Sequence, residues 1–447
     1  MASAAEQLAA HMNFGHLAKA TELKKRLWFT LGALVIYRLG TYIPLPGIDP
    51  GILQDIFRQQ AGGILGMFDM FAGGAFGRMT IFALGIMPYI SAAIIMQLLT
   101  AVSPHFAQLK KEGEAGRKKI TQYTRYGTVV LATLQGYGIA VGLEGMTGSQ
   151  GAAVIDPGLF FRASAVITLV GGTVFLMWLG EQITARGVGN GISLIIFSGI
   201  VAELPSALAG TLELGRTGAL SAALIVFLLV MAVAVITVIV FMERAQRRVV
   251  VQYPKRQVGN KMFGGESSHL PLKINTAGVI PPIFASSLLL LPITVAGFSA
   301  GQGPEWLATL TAYLGRGQPA YLIIYTSLIV FFAFFYTSVV FNPAETADNL
   351  KKNGGFVPGI RPGKNTADYL DYVLTRITVV GAGYLAVVSI LPEILISQYA
   401  VPFYFGGTSL LIVVTVTMDT VAQVQSHLLA HQYEGLIKKS RLRGRRG

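Results

Sequence analysis

The chain has 447 residues, of which 53% are hydrophobic and only 13% are charged. Soluble domains carry about 25% charged residues, so this composition indicates an integral membrane protein. Lys and Arg (35) exceed Asp and Glu (22) by 13, and the excess lies in short segments between apolar stretches. Because the sequence contains no cysteine, disulfides, thiolate metal sites, iron–sulfur clusters and a cysteine nucleophile are excluded.

Ten apolar stretches are predicted to span a bilayer as helices, at about 20 residues each. Their predicted bounds are 27–45, 80–101, 126–143, 160–180, 191–209, 219–242, 274–298, 319–341, 377–397 and 404–423. Basic residues are concentrated in alternate loops, and the positive-inside rule therefore predicts that both termini are cytoplasmic. The predicted fold is an all-α polytopic membrane protein. Its parts are a cytoplasmic segment at 1–26, spans 1–5 within 27–210, spans 6–10 within 211–423 and a basic tail at 424–447.

Two predicted cytoplasmic loops are long, at 243–273 and 342–376. Their Lys and Arg residues have two interpretations. They set the topology alone, or they form a docking surface for an acidic or RNA-containing partner. The length of the loops favours docking, because a topological signal needs only a few charges.

Residues 61–77 are apolar but too short and too glycine-rich to span the membrane. They form either an interfacial helix on the outer side or a re-entrant segment, which must be covered by protein or line a cavity. Asp69 would be costly in lipid, which favours a location inside a protein funnel.

The second and seventh predicted spans share a local pattern. Gly, Pro, Ile and Ala recur at matched positions in 85–92 and 278–285, in helices that run in opposite directions. The pattern predicts an inverted repeat of two five-helix halves, and coincidence is the alternative, because Gly and Pro are frequent in membrane helices. Since proline bends a helix, both spans are expected to be bent, movable walls.

Ionisable residues inside the predicted spans show no paired motif. Arg38, Glu203, Glu393 and Asp419 are scattered over different spans and are interpreted as snorkelling or helix-pairing residues. No hydrolase or nucleotide-binding signature is complete, so we expect no catalytic residue, cofactor or metal, and a partner must supply the energy. A secondary transporter and an intramembrane enzyme are the alternatives to a passive channel; midplane ionisable pairs or catalytic motifs would favour them.

Five segments carry long motifs that match one known family. They are Lys110–Gly127, His269–Asn275, Asn342–Leu350, Gly359–Gly363 and Phe405–Leu410. These segments resemble the SecY family, the channel subunits of the bacterial Sec protein translocon, and the resemblance runs from about residue 20 to the tail.

The resemblance implies ten helices in two inverted halves around an hourglass pore. A ring of aliphatic side chains would close the pore, although each of these isoleucines could otherwise be an ordinary core or lipid-facing residue. The ring residues would be Ile86, Ile90, Ile192, Ile196, Ile283 and Ile412. The segment 61–77 would be the plug helix, with Gly66, Phe68, Asp69, Phe71 and Gly73.

The second and seventh spans would form the main walls of a lateral gate. The gate residues would be Pro88, Ser91, Gln97, Pro281, Ser286 and Ser287. Pro282 departs from the family pattern, which has a single proline there, and this makes the local bend of the seventh span uncertain.

The resemblance also implies a function and a set of partners. The protein would pass unfolded secretory polypeptides across the bacterial cytoplasmic (inner) membrane and release hydrophobic segments sideways into lipid. The implied partners are SecE and SecG, the motor ATPase SecA, the ribosome, precursor proteins with signal sequences, and anionic lipids. The expected docking residues are Arg247, Lys255, Arg256 and Arg361.

Overall fold

The computed structural model describes residues 21–53, 56, 69, 72–148, 151–218, 221–254, 256–258, 261–263, 267–297, 309, 313, 318–399 and 407–443. Its helices are α1 Thr21–Gly40, α2 Met87–Val102, α3 Pro104–Lys111, α4 Glu114–Glu144, α5 Leu159–Arg186, α6 Gly191–Arg216, α7 Ala222–Arg244, α8 Ile280–Gly297, α9 Pro319–Val340, α10 Pro343–Lys352, α11 Lys364–Tyr399 and α12 Gly407–Arg443. Its strands are β1 Thr147–Gly148, β2 Gly151–Ala152, β3 Gln246–Gln252, β4 Arg256–Val258, β5 Lys261–Phe263 and β6 Ser267–Lys273.

Among the described residues, seven helices are long and apolar enough to cross a membrane, or eight if the bent pair α2–α3 counts as one span. Large apolar side chains on the outside of the bundle, including Trp28, Phe227 and Val233, are well exposed, as expected of faces that contact lipid. The remaining spans of the ten predicted stay predictions. Helix α12 continues to Arg443, so the described part of the predicted tail is helical.

The prediction that proline bends the second and seventh spans is wrong. Helix α2 begins only at Met87, after a series of turns, and Pro88 lies in its first turn. Helix α8 begins at Ile280, so that Pro281 and Pro282 both fall in its first turn. The first turn of a helix has no intrahelical partner for the missing N–H, so proline fits there without a bend.

A glycine precedes each of these helices and sets its starting point. Gly85 and Gly278 have φ values of +55° and +63°, a left-handed conformation that glycine adopts without steric cost. The glycine that the repeat pattern shares is therefore a helix-start signal. The predicted span 80–101 is therefore helical only from Met87, since residues 81–86 form turns.

The sharp bend in this part of the chain lies elsewhere. Helices α2 and α3 meet at 97°, around Ser103, which is extended (φ −91°, ψ 124°). The residue before a proline is pushed out of the helical region, and Pro104 follows directly.

The long loop after α7 is a β-hairpin, whereas the sequence analysis predicted an all-α fold. Strands β3 and β6 pair antiparallel, from Gln246↔Lys273 to Gln252↔Ser267, and β4 pairs with β5 further out. The second long loop joins this hairpin through reciprocal backbone hydrogen bonds between Gln252 and Phe356 (2.8 and 3.0 Å). Val249, Leu272, Val357 and Leu370 form a buried cluster beneath them. The two loops thus form one packed unit.

Helix packing places α2 and α8 side by side. Helix α8 contacts α2, α4 and α9. Helix α12 contacts α1, α6, α7 and α11, and α6 contacts α7. The helices of residues 21–216 therefore meet those of residues 222–443 along two boundaries, which we name the α2–α8 seam and the α6–α12 boundary.

Candidate functional site

The six isoleucines predicted for the pore ring lie in or against the largest apolar core of the described residues. Five of them are buried, with Ile412 completely inaccessible, and Ile192 is half-buried. They come from α6, α8 and α12 and from the start of α2. The structure brings them into one contiguous apolar cluster, which other core residues share.

Local sequence fixes where two of these positions lie. Helix α6 is capped by Asn190, whose side chain accepts a hydrogen bond from the Ile192 amide (3.2 Å). Ile192 and Ile196 are four residues apart and therefore share one face of α6. Ile86 and Ile90 are spaced in the same way, and the Ile90 amide donates to the Ile86 carbonyl (3.1 Å).

Only two of the predicted plug residues lie among the described residues. Gly66, Phe68 and Phe71 lie outside them. The Asp69 carboxylate accepts a hydrogen bond from the Gly77 amide (2.6 Å), and its carbonyl accepts one from the Gly74 amide (2.9 Å). Burial raises the pKa of the Asp69 carboxyl, although the bond from the Gly77 amide opposes the shift. Asp69 is thus enclosed by protein, as its cost in lipid requires.

Arg38 and Glu203, expected to be scattered, both reach the segment that follows Asp69. Arg38 donates to the Gly73 carbonyl (2.8 Å), and Arg78 donates to the same carbonyl (3.1 Å). Sequence reasoning missed this convergence, because α1 and α6 are far apart in the chain. The adjacent glycines Gly73 and Gly74 were the available signal, since paired glycines mark a turn of special geometry.

The predicted gate residues lie on α2 and α8, the two helices that meet at the α2–α8 seam. Pro88, Ser91, Pro281, Ser286 and Ser287 are buried. Ser286 and Ser287 both donate to the carbonyl of Ile283 in their own helix (2.9 and 2.8 Å). Their hydroxyls are thereby satisfied without bonding across the seam.

Gln97 of α2 differs from these serines. Its side-chain oxygen is buried and has no hydrogen-bond partner among the described residues. An unsatisfied buried acceptor costs about 1–3 kcal/mol, so this position destabilises α2 in its present packing.

The predicted docking residues lie on the unit formed by the two long loops. Arg247 lies in β3 and Arg361 lies just before α11, and both are exposed. Arg256 lies in β4, and Lys255 falls outside the described residues. Exposed guanidinium groups on this packed unit can bind an acidic surface. Nowhere in the described part of the chain do three or more His, Cys, Asp or Glu residues gather to hold a metal ion.

Comparisons with known proteins identify the family. The SecY family model matches residues 80–421. Protein translocase subunit SecY of Escherichia coli strain K12 is 58% identical over 424 residues, which cover 95% of this chain and 96% of that protein. The chain belongs to the SecY family.

Solved structures support the same fold. A structure described as a protein-conducting channel has a TM-score of 0.63 at 17% identity and covers 91% of this chain and 92% of its own. Sec61 in the canine ribosome–channel complex from the endoplasmic reticulum has a TM-score of 0.59 at 17% identity, with coverage of 91% and 92%. This SecY family member is therefore a multi-pass membrane protein with the channel fold.

Proposed function

We propose that this chain is the protein-conducting channel of a bacterial Sec translocase and not an enzyme. The observation that carries the proposal is the 58% identity to a protein translocase subunit along 95% of the chain. It would translocate unfolded secretory polypeptides across the cytoplasmic membrane, driven by a motor ATPase such as SecA or by the translating ribosome.

The proposed architecture has ten spanning helices in two inverted halves, with 61–77 as the plug. The matched helix starts at Gly85–Pro88 and Gly278–Pro281 support the repeat, because the same glycine conformation precedes a proline-bearing first turn in both. Contacts at the α2–α8 seam and the α6–α12 boundary support two halves that meet along two boundaries. Both termini would be cytoplasmic.

The isoleucine ring would let polypeptides pass and hold back ions when idle. Isoleucine offers no hydrogen bond to a passing chain, and its β-branch keeps the side chain stiff. A narrow apolar constriction resists wetting and therefore blocks ions. Five of the six positions are buried within one apolar cluster and Ile192 packs against it, which supports this role.

The α2–α8 seam would be the lateral exit for hydrophobic segments. About 20 Leu-like residues gain roughly 0.3–0.6 kcal/mol each on entering lipid, or about 6–12 kcal/mol in total. One central Lys or Asp costs about 2.5–3.5 kcal/mol, so a single charge weakens the preference without reversing it. Because Ser286 and Ser287 bond within their own helix, opening the seam breaks no hydrogen bond of theirs.

The proposed partners follow from the family and from the exposed basic loops. SecE and SecG would complete the membrane complex, and anionic lipids would surround it. The unit carrying Arg247 and Arg361 would dock SecA or the ribosome. A ribosome-bound Sec61 among the structural neighbours supports the second partner.

To test the ring, the ion conductance of proteoliposomes that contain the complete complex is measured for variants with substituted ring residues and for variants with substituted neighbouring residues. Ile90→Ser with Ile196→Ser should raise idle ion conductance several-fold, because two hydroxyls allow water into the constriction. Ile94→Ser with Ile200→Ser is the control, since these residues lie one turn further on the same helices and are equally buried (4% exposed each). Equal conductance from the two double variants would contradict the ring.

A further inference from the structure

Two guanidinium groups converge on one carbonyl at the end of the proposed plug. The Gly73 carbonyl accepts hydrogen bonds from Arg38 of α1 (2.8 Å) and from Arg78 (3.1 Å). Arg78 also donates through Nε to the Thr41 carbonyl at the end of α1 (3.2 Å). Both guanidinium groups lie over the Tyr42 ring, at 5.4 and 4.5 Å from its centroid. Arg78 therefore links the segment after the plug to the end of α1.

The same segment is pressed against α6. The Tyr37 hydroxyl donates to the Ala72 carbonyl (3.2 Å). A Cβ built on Gly73 would lie 2.7 Å from the Gly199 Cα of α6, closer than any side chain permits. Gly73 and Gly74 have φ values of +64° and +77°, so the turn needs glycine both for its conformation and for its packing.

Two carboxyl groups also lie at this turn. The Asp69 side chain accepts a hydrogen bond from the Gly77 amide, and a Cβ built on Gly74 would lie 2.5 Å from a Glu203 side-chain oxygen and 2.7 Å from the Arg78 guanidinium. Neither carboxyl group forms a direct ion pair with the two arginines within 4.0 Å in the part of the chain that the structure describes. The arginines bind backbone carbonyls instead, and the carboxylates lower the cost of burying their charge.

We propose that Arg38 and Arg78 are positioning residues that anchor the C-terminal hinge of the plug, Gly73–Gly74, to α1, while the hinge packs against Gly199 of α6. The inference rests on the proposed function, because it assumes that 61–77 is the plug. Glu203 and Asp69 lie beside this anchor.

Hydrogen exchange of the complete complex in proteoliposomes measures the anchor directly. The amides of Gly74 and Gly77, both bonded to Asp69, report on the hinge. Arg38→Gln and Arg78→Gln should each speed exchange of the peptide spanning 72–82 about tenfold, because each removes a charged hydrogen bond to Gly73. Arg38→Lys keeps the charge and one donor and should restore most of the protection.

Matched controls separate anchoring from general destabilisation. Arg216→Gln removes an exposed arginine that pairs with Glu213 (2.7 Å) and should leave the hinge unchanged. Exchange in the buried part of α9 should stay at the wild-type rate in every variant. Should an arginine variant fail to assemble, Glu203→Gln, compared with Glu213→Gln on the same helix, tests the anchor with a milder change and should speed hinge exchange several-fold.

The outcomes distinguish the anchor from the plug. Faster hinge exchange together with higher idle conductance supports both. Faster exchange with unchanged conductance supports the anchor and contradicts sealing by the plug. Unchanged hinge exchange in correctly assembled Arg38→Gln and Arg78→Gln complexes overturns the anchor.

Discussion

An alanine at Gly199 tests whether the turn after the plug packs against α6 as closely as the structure indicates. Its Cβ would lie 3.2 Å from the Cα and the amide nitrogen of Gly73 and 3.2 Å from the Tyr37 hydroxyl. Favourable contacts between carbon atoms lie near 3.5–4.0 Å, so the neighbours must move. Two of these three neighbours are backbone atoms, which yield less easily than the end of a flexible side chain.

Gly210 provides the matched control on the same helix, because a Cβ there meets nothing within 4 Å. Replacing a helical glycine by alanine gains about 1 kcal/mol of helix propensity, which should appear in Gly210→Ala. At Gly199 the same gain is offset by overpacking, which costs about 1–3 kcal/mol. The Gly199→Ala protein should therefore be about 1–3 kcal/mol less stable than Gly210→Ala.

Thermal unfolding of the purified complex in detergent measures the difference, and idle conductance in proteoliposomes measures its effect on the seal. Gly199→Ala should have the lower Tm and the higher leak. If its Tm equals or exceeds that of Gly210→Ala, the close approach between Gly73 and Gly199 is absent and the reasoning fails.

Two further predictions concern the seam and the docking surface. A disulfide between cysteines placed across α2 and α8, at a Cα separation of about 4.4–6.8 Å, should block export and membrane insertion until it is reduced. A control disulfide across α8 and α9 should block neither. Normal insertion with the seam locked would refute lateral exit. Arg361→Glu should slow SecA-driven export several-fold, because it reverses an exposed charge. The complex should still assemble, since exposed substitutions change stability by about 0.5 kcal/mol or less. Lys364→Glu, three residues further on and also exposed, is its control, and a normal rate for Arg361→Glu would remove its docking role.

The sequence predicted the helices best where hydropathy alone determines them. The helices α5, α6, α7 and α9 begin within three residues of their predicted starts, because a long apolar run has no other way to satisfy its backbone in lipid. Helix ends in segments rich in charged residues were less predictable. Helix α11 begins at Lys364, whereas its span was predicted to begin at 377, and α12 continues to Arg443, whereas its span was predicted to end at 423. Charged residues there extend a helix into water without any hydropathy signal.

The sequence alone does not show whether the prolines of the second and seventh predicted spans bend a helix or begin one. Proline is compatible with a bent interior or with a straight first turn, and the positive φ of Gly85 and Gly278 decides between them. Interior prolines do occur, at Pro205 of α6 and Pro392 of α11. The hairpin was not predicted for a different reason. Val249 and Val251 alternate with exposed residues as in a half-buried strand, but two apolar positions are too few to establish the alternation over about 4–8 residues that indicates a strand.

The isoleucine positions of the candidate site could be predicted from the sequence, whereas the polar contacts around Gly73 could not. The family resemblance supplied the isoleucine positions, whose burial in one apolar cluster is consistent with a ring. The polar contacts of Arg38, Arg78 and Glu203 with the Gly73 turn depend on how α1 and α6 pack. No local pattern encodes such packing, so only the structure reveals this cluster.

Photo-crosslinking from a stalled secretory chain tests the central claim most directly. A probe at Ile86 or Ile196, both buried in the apolar cluster (3% exposed each), is compared with one at Ile36 or Val233, which are 50% and 64% exposed on the outside of the bundle. The account predicts crosslinks to the hydrophilic part of the stalled chain from the two buried positions and none from the outer ones. Crosslinks from the outer positions alone would show that polypeptides do not pass through this cluster.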